Sequence, residues 1–538
     1  MTAKIYDCAI LGGGHNGLTT AAYLAGSGHS VVVLEKNDVL GGAAVTEEFA
    51  PGFRNSVASY TVSLLNPKVI SDLDLHRHGL EILERPAANF WPVEGTRGLL
   101  ASYDKAEKHR EFAAFSKHDA DRLADYEAAL ERAANVLRSL VTQTPPNAGG
   151  GIMELLRGGA AGRRILKLSI EDQRLLLELF TASAEDYLSR WFEDDTIKAS
   201  FAYDGIVGSY AAPSTPGTAY VLLHHCFGEV NGKSGMWGHA KGGMGAISQA
   251  MASSARSRGA ELRTNAPAKR VVIEGGRAVG IELSSGEIVR ARTVAANVGP
   301  KLLFRDLIAP GDVDERSRAP FLGMRTGSAS FRMNVALSEL PDFTCRPGTK
   351  QASHHASGIV IGPTLGYLER AYIDARTLGW SSEPAIEMLI PSTIDPSLAP
   401  PGKHVASLFV QYVAPQLPSL RSWKNPDEKE KFADVVISAV TKYAPNFASS
   451  VLHRQILSPL DLEQRFGLVD GDIFHGQLTL GQLYSARPVL GHANYRMPVP
   501  GLYLCGSGAH PGGGVTGAPG MNAAREIGRD LKGWRRLP

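Results

Sequence analysis

CAILGGGHNGLTT, residues 8–20, sets an apolar run directly against three consecutive glycines and then a helix-like segment. The run IYDCAIL, residues 5–11, predicts a short strand buried on both faces of a parallel sheet. Gly12, Gly14 and Gly17 follow in the spacing G-x-G-x-x-G. Such glycines give a tight turn, an open approach for a pyrophosphate and a close helix–strand contact, while the next helix start offers free N–H groups. Leu18, Ala21, Ala22 and Ala25 recur at helical spacing before Gly28, and SVVVLE (30–35) predicts a second, β-branched strand. That strand ends on Glu35, 18 residues past Gly17. A carboxylate there accepts hydrogen bonds from both ribose hydroxyls and repels the extra phosphate of an NADP. Glycines in this spacing match many sequences by chance. Strand, turn, small-residue helix, strand and terminal acid together favour a dinucleotide cradle over a plain glycine turn.

At 538 residues the chain outgrows the roughly 250–300 residues at which single cores stop enlarging, so two domains are expected. Hydrophobic residues make up 43% and charged residues 20%, with 56 Lys+Arg against 54 Asp+Glu, which excludes a global basic field for nucleic acid. The 58 glycines concentrate at 12–17, 41–42, 242–245 and 506–520. Cys8, Cys226, Cys345 and Cys505 form no CxxC pair, so neither a redox disulfide nor a metal knuckle is expected, and a reduced, cytoplasmic setting fits best. The opening residues leave no room for a secretory leader, and no run approaches ~18 apolar residues; secretion and membrane spanning are not expected.

A further glycine pair follows the acid in NDVLGGAAVTEEFAPGFRNSVASY (37–60), a continuation that resembles flavoproteins of the glutathione-reductase superfamily. The ordered strings GGGHNGL, GGAAVTEE, PGF, SVASYTVSLL, KGGMGAIS, FHGQLTLGQL and HPGGGVTGAPGMNAA resemble the phytoene desaturase and carotenoid isomerase branch of the amine oxidase-like flavoproteins, over nearly the whole chain. The resemblance implies FAD as cofactor and an α/β fold: a discontinuous glutathione-reductase-type Rossmann domain from 1–75, 235–305 and 485–538, and an amine oxidase-like substrate domain, mixed sheet plus helices, from 76–234 and 306–484. It adds His15, Asn16, Lys36, Gly41, Gly42, Ala43, Ala44 and Asn297 to the cofactor-binding candidates. Many relatives carry an arginine after the double glycine; Ala43 and Ala44 stand there, so that charge is absent or comes from elsewhere.

The segment 241–298 reads as helix, strand, a meander turning at Gly275-Gly276 and Ser285-Gly286, and a final strand. Val271 and Val272 are expected to set a backbone edge against the adenine, with a ligand-free hairpin as the plainer alternative. Near the C-terminus a buried strand, a glycine loop and a closing helix follow one another. Gly512-x-Gly514-x-x-Gly517 matches the dinucleotide pattern again, yet no strand with a terminal acid follows, so no separate NAD(P)H domain is built on it. Gly506 and Ser507, with Gly508, are expected at the ribityl and pyrophosphate, Gly517 in the same loop, and the helix start near Met521 and Asn522 at the flavin pyrimidine oxygen.

Candidate pocket residues are Tyr60, His224, His225, Trp237, His475 and His510, with Tyr60, His225, Trp237 and His510 the catalytic candidates. Tyr60 lies where the chain passes the flavin face, though a buried tyrosine with a satisfied hydroxyl is as good a reading. The His224-His225 pair lacks metal-site spacing, no metal is expected, and at most one ring faces the pocket. His510 reads first as loop architecture or flavin contact and second as a general base. Residues 145–168 mix breakers with Ile152, Met153, Leu155, Leu156 and Ile165 beside Arg157, Arg163 and Arg164. A lid or oligomer contact is the preferred reading and peripheral membrane contact the alternative. The function expected is an FAD-dependent oxidoreductase that removes two hydrogens from an apolar small molecule and passes electrons to oxygen or a quinone. Alternatives are a flavin isomerase with no net redox change and an FAD-stabilised interaction protein. A homodimer is a base-rate expectation.

Overall fold

The computed structural model describes residues 4–93, 95, 97–327 and 330–534; residues 1–3 and 535–538 of the expected FAD-binding segments lie outside them. The strand Ile5–Leu11 is almost wholly apolar because it sits mid-sheet. It pairs in parallel with Val31–Leu34 on one side and Ile288–Ala296 on the other. Glu261–Arg263 extends the sheet beyond Val31–Leu34, and the late strand Leu502–Leu504 adds in parallel to Ile288–Ala296. The antiparallel strands Ala268–Glu274 and Arg277–Leu283 complete seven strands.

The helix His15–Gly26 packs through Leu18, Ala21 and Ala22, all fully buried. Its small residues permit close approach: a Cβ on Gly17 would lie 2.3 Å from the Gly12 carbonyl oxygen. The helix Ala518–Trp534 lies against it, and a Cβ on Gly520 would lie 2.2 Å from the Asn16 carbonyl oxygen.

A second seven-stranded sheet runs Val451–Leu457, Phe331–Leu337, His404–Val413, Trp380–Leu389, Gly358–Ile361, Ala87–Pro92 and Gly98–Ser102. All its pairings are antiparallel except Gly358–Ile361 with Ala87–Pro92. Helices Lys117–Val141, Ile170–Thr181, Asp195–Ile206 and Thr218–His225 pack around it, and this core is separate from that of the first sheet. The first core also takes in Leu80, Ile82, Val230, Leu307, Ile308, Val313 and Phe321, from segments the sequence reading placed in the other unit. No helix among the described residues is long and apolar enough to cross a membrane.

Candidate functional site: a glycine-lined cleft joined to a carboxyl-bearing cavity

The turn after Ile5–Leu11 opens a cleft of about 310 Å³. Gly12, Gly14, His15, Glu35, Lys36, Gly42, Ala43, Asn297 and Ser507 stand in its wall. Gly12 has φ +95°, a conformation side chains disfavour. A Cβ on Gly14 would come within 2.9 Å of Asn297 Nδ2, so the cradle admits backbone only. Asn297 Nδ2 donates to the Gly12 carbonyl (3.2 Å), and the Gly41 amide donates to the Gly13 carbonyl (2.9 Å), fixing the two glycine turns together. The buried Glu35 carboxylate accepts from the Gly13 amide (2.7 Å) and the Asn37 amide (3.0 Å), leaving lone pairs at the cleft end. His15 Nε2 and His475 Nδ1, both in the cleft wall, are buried without a partner among the described residues. Orphaned polar atoms and a cradle closed to side chains fit a dinucleotide ligand. Positive charge is brought to the cleft by Lys36, which donates to the Gln464 carbonyl (2.9 Å), and by Arg465, which pairs with Glu47. These two stand where Ala43 and Ala44 supply none.

A second cavity of about 150 Å³ shares His15, Ala43, Leu468, His475 and Ser507 with the cleft. Its walls include Leu64, Val207, Phe409, Ile473 and Phe474. One end is polar, where Tyr60, Asn89, Asp204, His225 and Glu387 converge. Tyr60 donates to Glu387 Oε2 (2.5 Å), stacks on Phe409 (5.5 Å) and lies 4.4 Å below the buried Arg332 guanidinium. Burial raises the Glu387 pKa against the opposing pull of Arg85, Tyr60 and Arg332. Asp204 has no hydrogen-bond or ion-pair partner for its carboxyl among the described residues. Burial, then the Glu387 charge, pushes its pKa up to about 7. His225 Nδ1 meets the Val221 carbonyl (2.9 Å) and its ring stacks on Trp237 at 6.3 Å. Burial lowers the His225 pKa, and it lowers those of His15 and His475 to about 4.

Of the catalytic candidates, Tyr60, His225 and Trp237 line this cavity and His510 does not. The His510 Nε2 instead meets the Leu140 carbonyl (3.0 Å), and its own carbonyl accepts from the Tyr495 hydroxyl (2.8 Å), so it braces the loop. His224 shares the helix Thr218–His225 with His225, but a step of about 100° turns it toward Phe474 and out of the cavity wall. Val271 and Val272 are displaced from the expected adenine edge. Of their strand, Ala268–Glu274, the first residue reaches the wall, together with Pro267 just before it. Gly517, Met521 and Asn522 also lie outside both walls. The closing helix begins at Ala518 against His15–Gly26, which buries Met521 in the core and leaves Asn522 Nδ2 donating to the Val141 carbonyl (3.0 Å). Gly506, Gly41, Gly17, Asn16 and Ala44 sit behind the wall as supports: Asn16 Nδ2 donates to Ser507 Oγ (3.1 Å), and Ser248 Oγ to the Ala44 carbonyl (2.8 Å). Asp204, Glu387, Asn89 and Arg465 were not singled out from sequence, since no local motif marks them. His118, Asp119 and Glu193 cluster elsewhere, but both Asp119 oxygens accept the Glu193 amide (3.0 Å), and one also accepts the Asp194 amide (2.8 Å).

The sequence profile of the flavin containing amine oxidoreductase family matches residues 17–321. The mouse pyridine nucleotide-disulfide oxidoreductase domain-containing protein 2 is 42% identical over 98% of this chain and 94% of its own. A limonene dehydrogenase subunit from Castellaniella defragrans is 25% identical over 98% of this chain and 95% of its own. Among solved structures, cyclohexylamine oxidase from Brevibacterium oxydans superposes with a TM-score of 0.57 at 15% identity, over 99% of this chain and 100% of its own, a likeness of fold alone.

Proposed function

The chain belongs to the flavin containing amine oxidoreductase family, with FAD as its cofactor, and on that footing we propose that it removes two hydrogens from a small, largely apolar molecule bearing one polar group. What supports the reading most is the junction of the two hollows, where His15, Ala43, Leu468, His475 and Ser507 face both. A molecule in the smaller cavity thereby meets the cofactor cleft without crossing solvent. FAD, when bound, supplies the two-electron acceptor.

The chain's own groups divide the remaining work. Leu64, Val207, Phe409, Ile473 and Phe474 hold apolar surface and exclude water. The Tyr60–Glu387 pair, held under Arg332, orients the polar end. Asp204 holds or takes a proton at its carboxyl, with a pKa near working pH. His15 and His475 stay neutral, keeping cations from the junction. The name of the Castellaniella relative, a limonene dehydrogenase, also favours an apolar substrate. Electrons then pass to oxygen or a quinone.

The test is anaerobic mixing of the flavin-loaded protein with a panel of terpenes, polyenes and apolar amines. Bleaching of the flavin with a product lighter by two hydrogens is the expected result. A converted product of unchanged mass would replace this reading with an isomerase.

A further inference from the structure

The helix Ile152–Leu166 has no buried residue. Ile152, Met153, Leu155, Leu156 and Leu166 are 75, 63, 75, 61 and 73% exposed. At about 100° per residue, Ile152, Leu155, Leu156 and Leu166 share one face, and Arg163 projects from the same face on a stem long enough to carry its charge out to a headgroup. Leu490, 68% exposed, belongs to a neighbouring loop, tied to the approach to this helix by Asn147 Nδ2 donating to the Gly491 carbonyl (2.6 Å). Isolated exposed apolar residues are ordinary, but a whole stripe on one helix marks a binding face. The helix interior also holds Gly158, Gly159 and Gly162. No atom lies within 4 Å of where Cβ atoms on Gly159 and Gly162 would sit, so packing within this chain does not call for them. Three glycines weaken a helix that stands in water, and burial of its apolar face against an external surface offsets that weakness.

The charge around the stripe selects the surface. Glu154 pairs with Arg157 (2.5 Å), whereas Arg163, Arg164 and Lys167 have no ion-pair partner among the described residues. On the flank facing the closing helix, an open groove of about 330 Å³ is bordered by Arg157, Arg164, Arg525 and Arg529. Glu526 is the acid beside them, shared by Arg529 (2.7 Å), Arg496 (3.2 Å) and, at 3.9 Å, Arg525.

We propose that this face docks on an anionic phospholipid bilayer. The helix lies in the interfacial plane, Ile152, Leu155, Leu156 and Leu166 enter the acyl boundary, and Arg163, Arg164 and Lys167 meet headgroup phosphates. The groove of four arginines receives one such headgroup. A second copy of the chain is the poorer occupant, because the helix offers one acid, Glu154, already paired with Arg157, to set against Arg163, Arg164 and Lys167. The inference is independent of the substrate assigned above.

The test uses the full-length, flavin-loaded chain and flotation with phosphatidylcholine vesicles made with or without phosphatidylglycerol. Binding is expected only when phosphatidylglycerol is present. It weakens with salt, falls roughly fivefold for each of Arg163→Gln and Arg164→Gln, and is lost in Leu155→Gln/Leu156→Gln. These side chains are exposed, and an unchanged flavin spectrum verifies that each variant is folded. Absence of binding, equal binding to neutral vesicles, or insensitivity to the leucine pair overturns the proposal. So does light scattering that shows a dimer which Leu155→Gln/Leu156→Gln converts to monomer.

Discussion

Arg487 is completely buried, and all five of its N–H groups are committed to main-chain carbonyls. Nη2 donates to Phe474 (2.7 Å) and Ser507 (2.7 Å), Nη1 to Gly476 (3.2 Å) and Gln482 (3.2 Å), and Nε to Ala509 (3.3 Å). It therefore ties the 474–482 segment to the glycine loop on either side of the cofactor cleft. Its charge also acts through space on the buried Asp472; burial pushes the Asp472 pKa up to about 6, and the Phe474 amide and Arg487 oppose that rise. Arg487→Met keeps bulk but orphans five carbonyls and strips Asp472 of its counter-charge. Hydrogen bonds from a charged donor contribute about 1.5–3 kcal/mol each, but such values do not add within one network. Loss of one partner of a buried ionic group costs about 3–5 kcal/mol, and we expect that magnitude. Arg487→Lys retains charge but offers three donors, so at least two carbonyls lose their partner and about 2 kcal/mol is lost. Urea unfolding followed by released flavin fluorescence reads both variants. If Arg487→Met unfolds within about 1 kcal/mol of the parent, or lysine substitutes without loss, the carbonyl-clamp reasoning is wrong.

Asp204 gives a pH signature. Its folded pKa of about 7 exceeds the ordinary 3.8, so its contribution to stability is complete below pH ~4 and is lost as pH rises through 7. Asp204→Asn should flatten that decline, by at most about 4 kcal/mol at alkaline pH, as measured by chemical denaturation across the range; an unchanged pH profile refutes it. Gly12→Ala forces a side chain to φ +95° with its Cβ 3.0 Å from the Asn297 carbonyl oxygen, and the purified variant should lose most of its flavin absorbance. Glu35→Gln exchanges charged for neutral acceptors at the Gly13 amide, and the flavin dissociation constant should rise about tenfold, near 1.4 kcal/mol. Cys8 and Cys505 are fully buried, with pKa values pushed up to about 12 by burial. Neither should be alkylated by iodoacetamide in the native protein under conditions that label both after unfolding, despite the disulfide vocabulary in the mouse relative's name.

The first sheet was legible in sequence because its signals are local. A strand, a glycine turn and a small-residue helix each follow from sterics over a few residues, and the expected FAD cofactor and amine oxidase-like fold agree with the family match. Asp204 and Glu387 were not legible, since the cavity end they share is assembled from a helix and a strand 183 positions apart (387 less 204). The offset at Val271 and Val272 has the same origin. Residue type gives a strand its existence, but only pairing with Arg277–Leu283 decides which end reaches the cleft. Met521 and Asn522 were displaced because the spacing of glycines does not reveal that Gly517 and Gly520 are needed for helix contact, where Cβ atoms would clash with Val69 and Asn16.

The parallel addition of Leu502–Leu504 to Ile288–Ala296, and the bond from Asn16 to Ser507 across 491 positions, set the order of biosynthesis. Ser507 must be translated before Asn16 acquires this partner. A chain cut shortly before residue 500 lacks Leu502–Leu504 and Ser507 and is expected to retain no colour, however well its second sheet has folded.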